Sequence, residues 1–345
     1  MGLTILEADL EQDREELIAF LHDNLTPESN DARFNWLYLD SPNGRARAWM
    51  AISESGRTIG MAAAFPRSFW ASGKVEQVWV LGDFSIHPDY RSLGPALQLQ
   101  RAVLESLSNT SYAVYDFPSP TMMAIYRRLG APLPGKHVRH VKLIRSDEHV
   151  QKWIRRPFLA SCISSILNVL LYALQFSRYF AGGVEFSLHE GPFGKEFEMT
   201  NGFVASGHRL QGYRSADHLN WRYLRHPFKK YLVVVARKQM QLIGYGILEI
   251  NQHGATFAEL YTKEMPNIVA GIVLYAASVL RKTRISSISM PLLENCHLVP
   301  LLRSAGFYPR ESVPVIAHAT SAAKCTSDDM FHIKNWFLVH GDRES

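Results

Sequence analysis

A chain of 345 residues is too long for one ordinary domain and comfortable for two. With 47% hydrophobic and 20% charged residues it is not a disordered polymer, and its 37 Lys+Arg against 32 Asp+Glu include no dense basic run that would suit nucleic acid. Three cysteines far apart in sequence, Cys162, Cys296 and Cys325, argue against a disulfide framework and offer no Cys/His cluster for a metal.

The first residues carry acids where a secretory signal carries bases, and no Ser or Thr stands where a myristoylation signal needs one, so the cytoplasm is the expected compartment. Asn35-Trp36-Leu37-Tyr38-Leu39 with Pro42 is followed by two β-rich runs, 48–52 and 58–65, around a turn at Glu54-Ser55-Gly56. A further strand over 77–86 leads to a helix over 95–107, striped by Leu97, Leu99, Val103, Leu104 and Leu107. A strand at 112–115 and a helix at 121–129 complete the first half.

The same order then recurs. Asn220-Trp221-Arg222-Tyr223-Leu224 with Pro227 precedes strands at 231–236 and 241–250, a strand at 255–261, a helix at 268–280, a strand at 285–290 and a helix at 297–304. The expectation is a mixed α/β fold duplicated in tandem, with domains at 1–146 and 199–345 and a linker at 147–198. Within the linker, 157–177 holds no charged residue, and Leu159, Ile163, Ile166, Leu167, Leu170 and Leu174 share one helical face. A connector helix packed on a domain and a helix lying in a membrane interface, flanked by Arg155, Arg156 and Arg178, are two of the three readings of it. The third, least favoured because serines, Asn168 and Gln175 interrupt it, is a transmembrane span.

The chemistry concentrates in the first half. Strand 77–86 ends at His87-Pro88, and a helix starts near Pro95, so the main-chain amides between them lack helical partners and face a positive macrodipole end. Gly94 lets a ligand approach the backbone, which is how a pyrophosphate is held without a basic side chain. His87-Pro-Asp-Tyr-Arg91-Ser-Leu-Gly94-Pro-Ala96 resembles the acetyl-CoA motif of the GNAT (N-acetyltransferase) superfamily, Arg/Gln-x-x-Gly-x-Gly/Ala. The resemblance implies that Arg91, Ser92, Leu93, Gly94, Pro95 and Ala96 cradle the CoA pyrophosphate, and that the strand ending in Ser85 and Ile86 flanks the pantetheine arm. Pro95 departs from the family pattern, because it has no N–H to give, although it suits a first helical turn.

A second match, Ser119-Pro-Thr-Met-Met-Ala-Ile-Tyr126-Arg-Arg-Leu-Gly130-Ala131, resembles the family's Asn-x-x-Ala-x-x-x-Tyr-x-x-x-Gly-Phe, with Ser119 and Ala131 replacing Asn and Phe. By resemblance Tyr126 protonates the departing thiolate, which a phenol of reference pKa ~10 does for a thiol of ~8.5. For the base, Asp83 is the first choice, with Asp116 and Glu259 as alternatives. The second half keeps Asn295 and Gly306-Phe307 but has Leu302 at the tyrosine's place and no phosphate-loop spacing, so it is not expected to bind acyl-CoA. The implied activity is transfer of an acetyl or acyl group from CoA to an amine. Tandem members that resemble this chain imply an amino sugar or another cell-surface glycan precursor as acceptor. The alternatives are a Fem-type aminoacyltransferase, which would lack the CoA loop, and a binding module that kept the fold without the chemistry. No metal and no nucleic acid is expected.

Overall fold

The computed structural model describes residues 2–71, 73–131, 134–147, 150, 153–154, 156–176, 183–198, 210–252, 254–262, 267–283, 285–320 and 331–344. Its first half runs β1 (Leu3–Glu7), α1 (Arg14–Asn24), α2 (Asp31–Phe34), β2 (Arg47–Ser53), β3 (Thr58–Ala71), β4 (Lys74–Ile86), α3 (Leu93–Leu107), β5 (Ala113–Asp116), α4 (Pro120–Arg128) and β6 (Gly135–Leu143). After α5 (Pro157–Phe176) come β7 (Val184–His189), β8 (Leu210–Gly212), α6 (Ala216–Leu219), β9 (Tyr231–Lys238), β10 (Gln241–Ile250), β11 (Ala255–Thr262), α7 (Asn267–Leu280), β12 (Ser287–Leu293), α8 (Leu298–Ser304), β13 (Tyr308–Ala319) and β14 (Trp336–Phe337). The strands and helices expected from apolar periodicity are present, most of them longer by a few residues. β7 lies inside the stretch expected to be a linker. It pairs with β9 as β1 pairs with β2, and Phe193 and Phe197 just after it are buried in the second core.

The main strand path reads β1-β2-β3-β4-β5-β13-β6-β12-β11-β10-β9-β7, an order that is the same from either end once equivalent strands are matched. The halves are interleaved. β6 of the first lies antiparallel on β12, β13 of the second lies antiparallel on β5, and β6 and β13 pair with each other. Neither half closes its sheet with its own last strand, and the exchange joins two apolar cores through a continuous sheet.

The repeated Asn-Trp-x-Tyr-Leu motif lies at the junction. α2 and α6 are capped by the side chains of Asn30 and Ser215, which accept from the amides of Arg33 and His218. Each helix then widens into a turn closed five residues on, Asp40 N–H to Asn35 O and Arg225 N–H to Asn220 O, both 2.9 Å. The widening brings Trp36 and Trp221 together as stacked rings 5.1 Å apart. Each indole N–H donates to the other's main-chain carbonyl, at 2.9 and 2.7 Å. Buried Arg67 and Arg222 lie over the two rings and donate to the carbonyls of Arg343 and Glu344. The end of the chain is thereby drawn between the halves.

Candidate active site

β4 and β5 are parallel but pair only from Val78–Val80 to Ala113–Tyr115. Beyond that β5 stops at Asp116, whereas β4 continues to Ile86 with β3 on one side only. The other edge of 81–86 therefore presents unpaired main-chain groups to a wedge-shaped groove. A bulge in β4 sharpens the wedge: Met61 pairs with Ser85 and Ala63 with Gly82, so two residues, Asp83 and Phe84, stand opposite Ala62. Asp83 adopts φ +47°, an uncommon value for a non-glycine residue, and the surrounding ion pair holds it there.

Two cavities occupy the groove and share Leu25, Phe84, Ser119 and Met122, which makes them one channel. The outer part, 560 Å³, is lined among others by Ser85, Ile86, Arg91, Ser92, Leu93 and Ala96. The inner part, 440 Å³, is lined by Glu28, Arg33, Gln100, Asp116 and Glu344 together with the β4 bulge. Charge is unequally divided. The outer part has a cation, Arg91, and the N-terminus of the 15-residue α3. The inner part has four carboxylates, of which Arg33 neutralises one.

The expected phosphate loop is narrower than its motif suggests. The amides of Arg91 and Ser92 close the turn at 88–90 by donating to the carbonyls of Pro88 and Tyr90. Pro95 has none, and the amides of Leu93 and Gly94 precede the first intrahelical bond, so these two are the donors left for an anion. Arg91 turns back to donate Nε–H to the carbonyl of Ile86 at 3.1 Å. Ser85 donates to the carbonyl of Asn24, at the end of α1, at 3.0 Å. Ser119 caps α4 by accepting from Met122 N–H at 3.2 Å, and its hydroxyl hydrogen remains for a ligand. His87 accepts from Asp89 N–H and faces Arg57 at 2.8 Å, so it braces the loop from outside.

Gly94 and Pro95 do not form the channel wall; they flank its mouth. A side chain at Gly94 would meet nothing within 4 Å. Gly94→Asp is thus expected to leave the melting temperature unchanged while weakening CoA binding about tenfold or more, ~1.4 kcal/mol, because its charge replaces the anion at the helix end. Calorimetric titration with CoA checks this, and undiminished affinity would remove the loop from the binding site.

Both residues expected to transfer protons are engaged by buried partners. Asp83 is not free to act as a base. Both its oxygens accept from the Arg33 guanidinium, at 2.8 and 2.7 Å, and Tyr38 O–H donates to it at 2.6 Å. Burial opposes the charge on Arg33, but Asp83 outweighs that effect and raises the guanidinium pKa. In the second half Glu259, at the equivalent place on β11, is held through one oxygen, Oε1, by Arg214 at 2.8 Å and by the hydroxyl of Tyr223, and it does not line the channel. A device built in both halves serves architecture, because the second half lacks the phosphate loop and has buried Leu302 in place of the tyrosine.

Tyr126 is fully buried and lies behind the channel wall. Its hydroxyl donates to Asp116 Oδ2 at 2.6 Å and accepts from Gln100 Nε2 at 3.1 Å. Burial, followed by the Asp116 charge, pushes the phenol pKa well up, so Tyr126 stays protonated and orients its neighbours. Asp116 is the group on the wall that titrates near neutrality. Burial lifts its carboxyl to about 7 against the lowering effect of the Tyr126 bond, and nearby Glu344 lifts it further. Glu344 reaches the groove because its main-chain carbonyl is held by Arg67 and Arg222 and its side chain lies against Gly82. Glu28, Gln100 and Glu344 carry no motif that sequence reasoning could have found, whereas Asp116, at the end of a predicted strand, was legible.

Among the described residues no cysteine lines the channel: Cys162 is on α5, and burial pushes the Cys296 thiol up to about 12, while Cys325 lies outside the described residues. Among the described residues no three His, Cys, Asp or Glu side chains converge as a metal site.

Residues 10–131 match the model of the acetyltransferase (GNAT) family. A GCN5-related N-acetyltransferase from Anabaena variabilis has a similar structure, with a TM-score of 0.64 at 13% identity, covering 92% of this chain and 73% of that one. A GCN5-related N-acetyltransferase from Kribbella flavida gives 0.61 at 13% identity, covering 92% and 71%. A tandem GNAT protein from the clavulanic acid biosynthesis pathway gives 0.54 at 13% identity, covering 92% and 98%. No curated protein matches by sequence. The fold is that of the GNAT proteins, and it extends over both halves of the chain.

Proposed function

We propose that this chain transfers an acetyl or other acyl group from CoA to the amine of a small acceptor, an amino sugar or another amine-bearing glycan precursor. The observation that supports it is the channel with opposite charge at its two ends: a helix N-terminus and Arg91 suited to a pyrophosphate, and Glu28, Asp116 and Glu344 suited to an ammonium. The free edge of 81–86 lies between them, where the amide groups of a pantetheine arm pair with main chain and a strand N–H polarises the thioester carbonyl.

The acceptor ammonium gives its proton to the Asp116 carboxylate, and the amine attacks the thioester carbonyl. When the carbon–sulfur bond breaks, the proton held by Asp116 passes to the thiolate, leaving CoA as its thiol, and the regenerated carboxylate takes the second proton from the amide nitrogen and releases it to water. One carboxyl of pKa about 7 serves these transfers, with Tyr126 and Gln100 fixing its orientation. The second half contributes Ile316, which pairs with Asp116 across the sheet, and Glu344.

Thermal denaturation with acetyl-CoA tests the donor site. At 100 times its dissociation constant the ligand is expected to stabilise the protein by about 2.7 kcal/mol. Thiol release against a panel of amines and amino sugars then identifies the acceptor. A melting temperature indifferent to CoA and acetyl-CoA would refute the assignment.

A further inference from the structure

Helix α5 is oriented against the usual rule. Its 20 residues, about 30 Å of helix, contain no charged side chain. A surface helix of a globular protein turns its apolar stripe inward and its polar residues to water. Here two polar residues, Ser164 and Asn168, face the protein, while Ser161 and Ser165 are exposed. Ser164 is buried at 2% exposure, and Asn168 Oδ1 accepts the Ser146 amide at 2.8 Å while its Nδ2 donates to Asp147 at 3.1 Å. The Ser146 hydroxyl donates to the Ser164 carbonyl at 3.3 Å.

The opposite side carries Leu159, Ile163, Ile166 and Leu167 at helical spacing, all exposed, with Ile166 at 63%. Phe158 at 78% and Trp153 at 88%, just before the helix, extend the same apolar surface toward its N-terminal end. Over 158–168 the helix is thus moored by a few hydrogen bonds, and its described apolar side chains are exposed.

We infer that α5 lies flat in the surface of an anionic lipid bilayer, with Phe158, Ile163, Ile166 and Leu167 in the acyl boundary. Charge decides the occupant. Lys152, Arg155 and Arg156 precede the helix in sequence and Arg178 follows it, while no Asp or Glu occurs from 149 to 184. Cations at both ends of an apolar stripe, with an aromatic residue at its margin, match anionic headgroups above acyl chains. No helix among the described residues is long and apolar enough to cross a membrane. Burial of α5 by a second copy of this chain is the competing outcome of the test.

Flotation of the full chain with vesicles of phosphatidylcholine, alone or mixed with phosphatidylglycerol, reads the inference directly. Binding to the mixed vesicles is expected to exceed that to neutral ones by about tenfold or more and to weaken with salt. Phe158→Ser with Ile166→Ser should reduce it by at least about tenfold, with an unchanged melting temperature because both side chains are exposed in the native fold. A wild-type protein that ignores both kinds of vesicle overturns the inference. So does a double variant that floats as well as wild type, or a wild-type dimer in sedimentation that the variant dissociates without any vesicle binding. Acetyl-CoA binding is read separately and depends on none of these results.

Discussion

Asp116→Asn is expected to lower kcat by ~10²–10⁴-fold while leaving acetyl-CoA affinity intact, because it removes the wall group whose proton affinity suits both halves of the reaction. The amide has the shape of the carboxyl and still accepts from Tyr126, so the loss reads chemistry rather than packing. In the wild type the reactive form is the carboxylate, so kcat/KM should rise with pH through about 7, and the variant should lack that limb. Tyr126→Phe is the informative companion. The phenol's hydrogen bond lowers the Asp116 pKa, so its removal should move the limb to higher pH with a smaller loss of turnover. A Tyr126→Phe enzyme with an unmoved limb, or an Asp116→Asn enzyme with wild-type turnover, would end the proposed proton path.

Arg33→Ala is expected to destabilise the fold by about 3–5 kcal/mol, since it leaves the buried Asp83 carboxylate with only the Tyr38 hydroxyl. At about 2 °C per kcal/mol for a chain of this size, the melting temperature should fall by about 6–10 °C. Combining it with Asp83→Asn should cost less than the sum of the two single changes, because the second removes the charge the first had stranded. The measurement is a double-mutant cycle by thermal and urea denaturation. Strict additivity, or an Arg33→Ala protein as stable as wild type, would show that the pair is not a unit. The same cycle separates architecture from chemistry, since a catalytic Asp83 would lose turnover in Asp83→Asn without a matching loss of stability.

Much of the molecule could be read from its amino-acid sequence. Alternation and helical stripes gave the strands and helices of both halves because those patterns record which face of each element is buried. The repeated Asn-Trp-x-Tyr-Leu marked the two turns that meet at the junction, and Arg91 to Ala96 line or flank the outer cavity. Such features are local: they depend on residues a few positions apart, whose relation the backbone geometry fixes in advance.

The rest required the tertiary structure. Nothing near Asp83 announces Arg33, 50 residues earlier, as the partner that takes its carboxylate out of the chemistry. Nothing near Tyr126 says that its hydroxyl turns to Asp116, since that depends on how far β5 extends before it splays from β4. The exchange of β6 and β13, the delivery of Glu344 into the groove and the outward apolar face of α5 all follow from long-range packing. A periodic pattern says that one face differs from the other. Which face meets protein, and which carboxylate keeps a free oxygen, is decided only when segments distant in sequence come together and compete for the same partners.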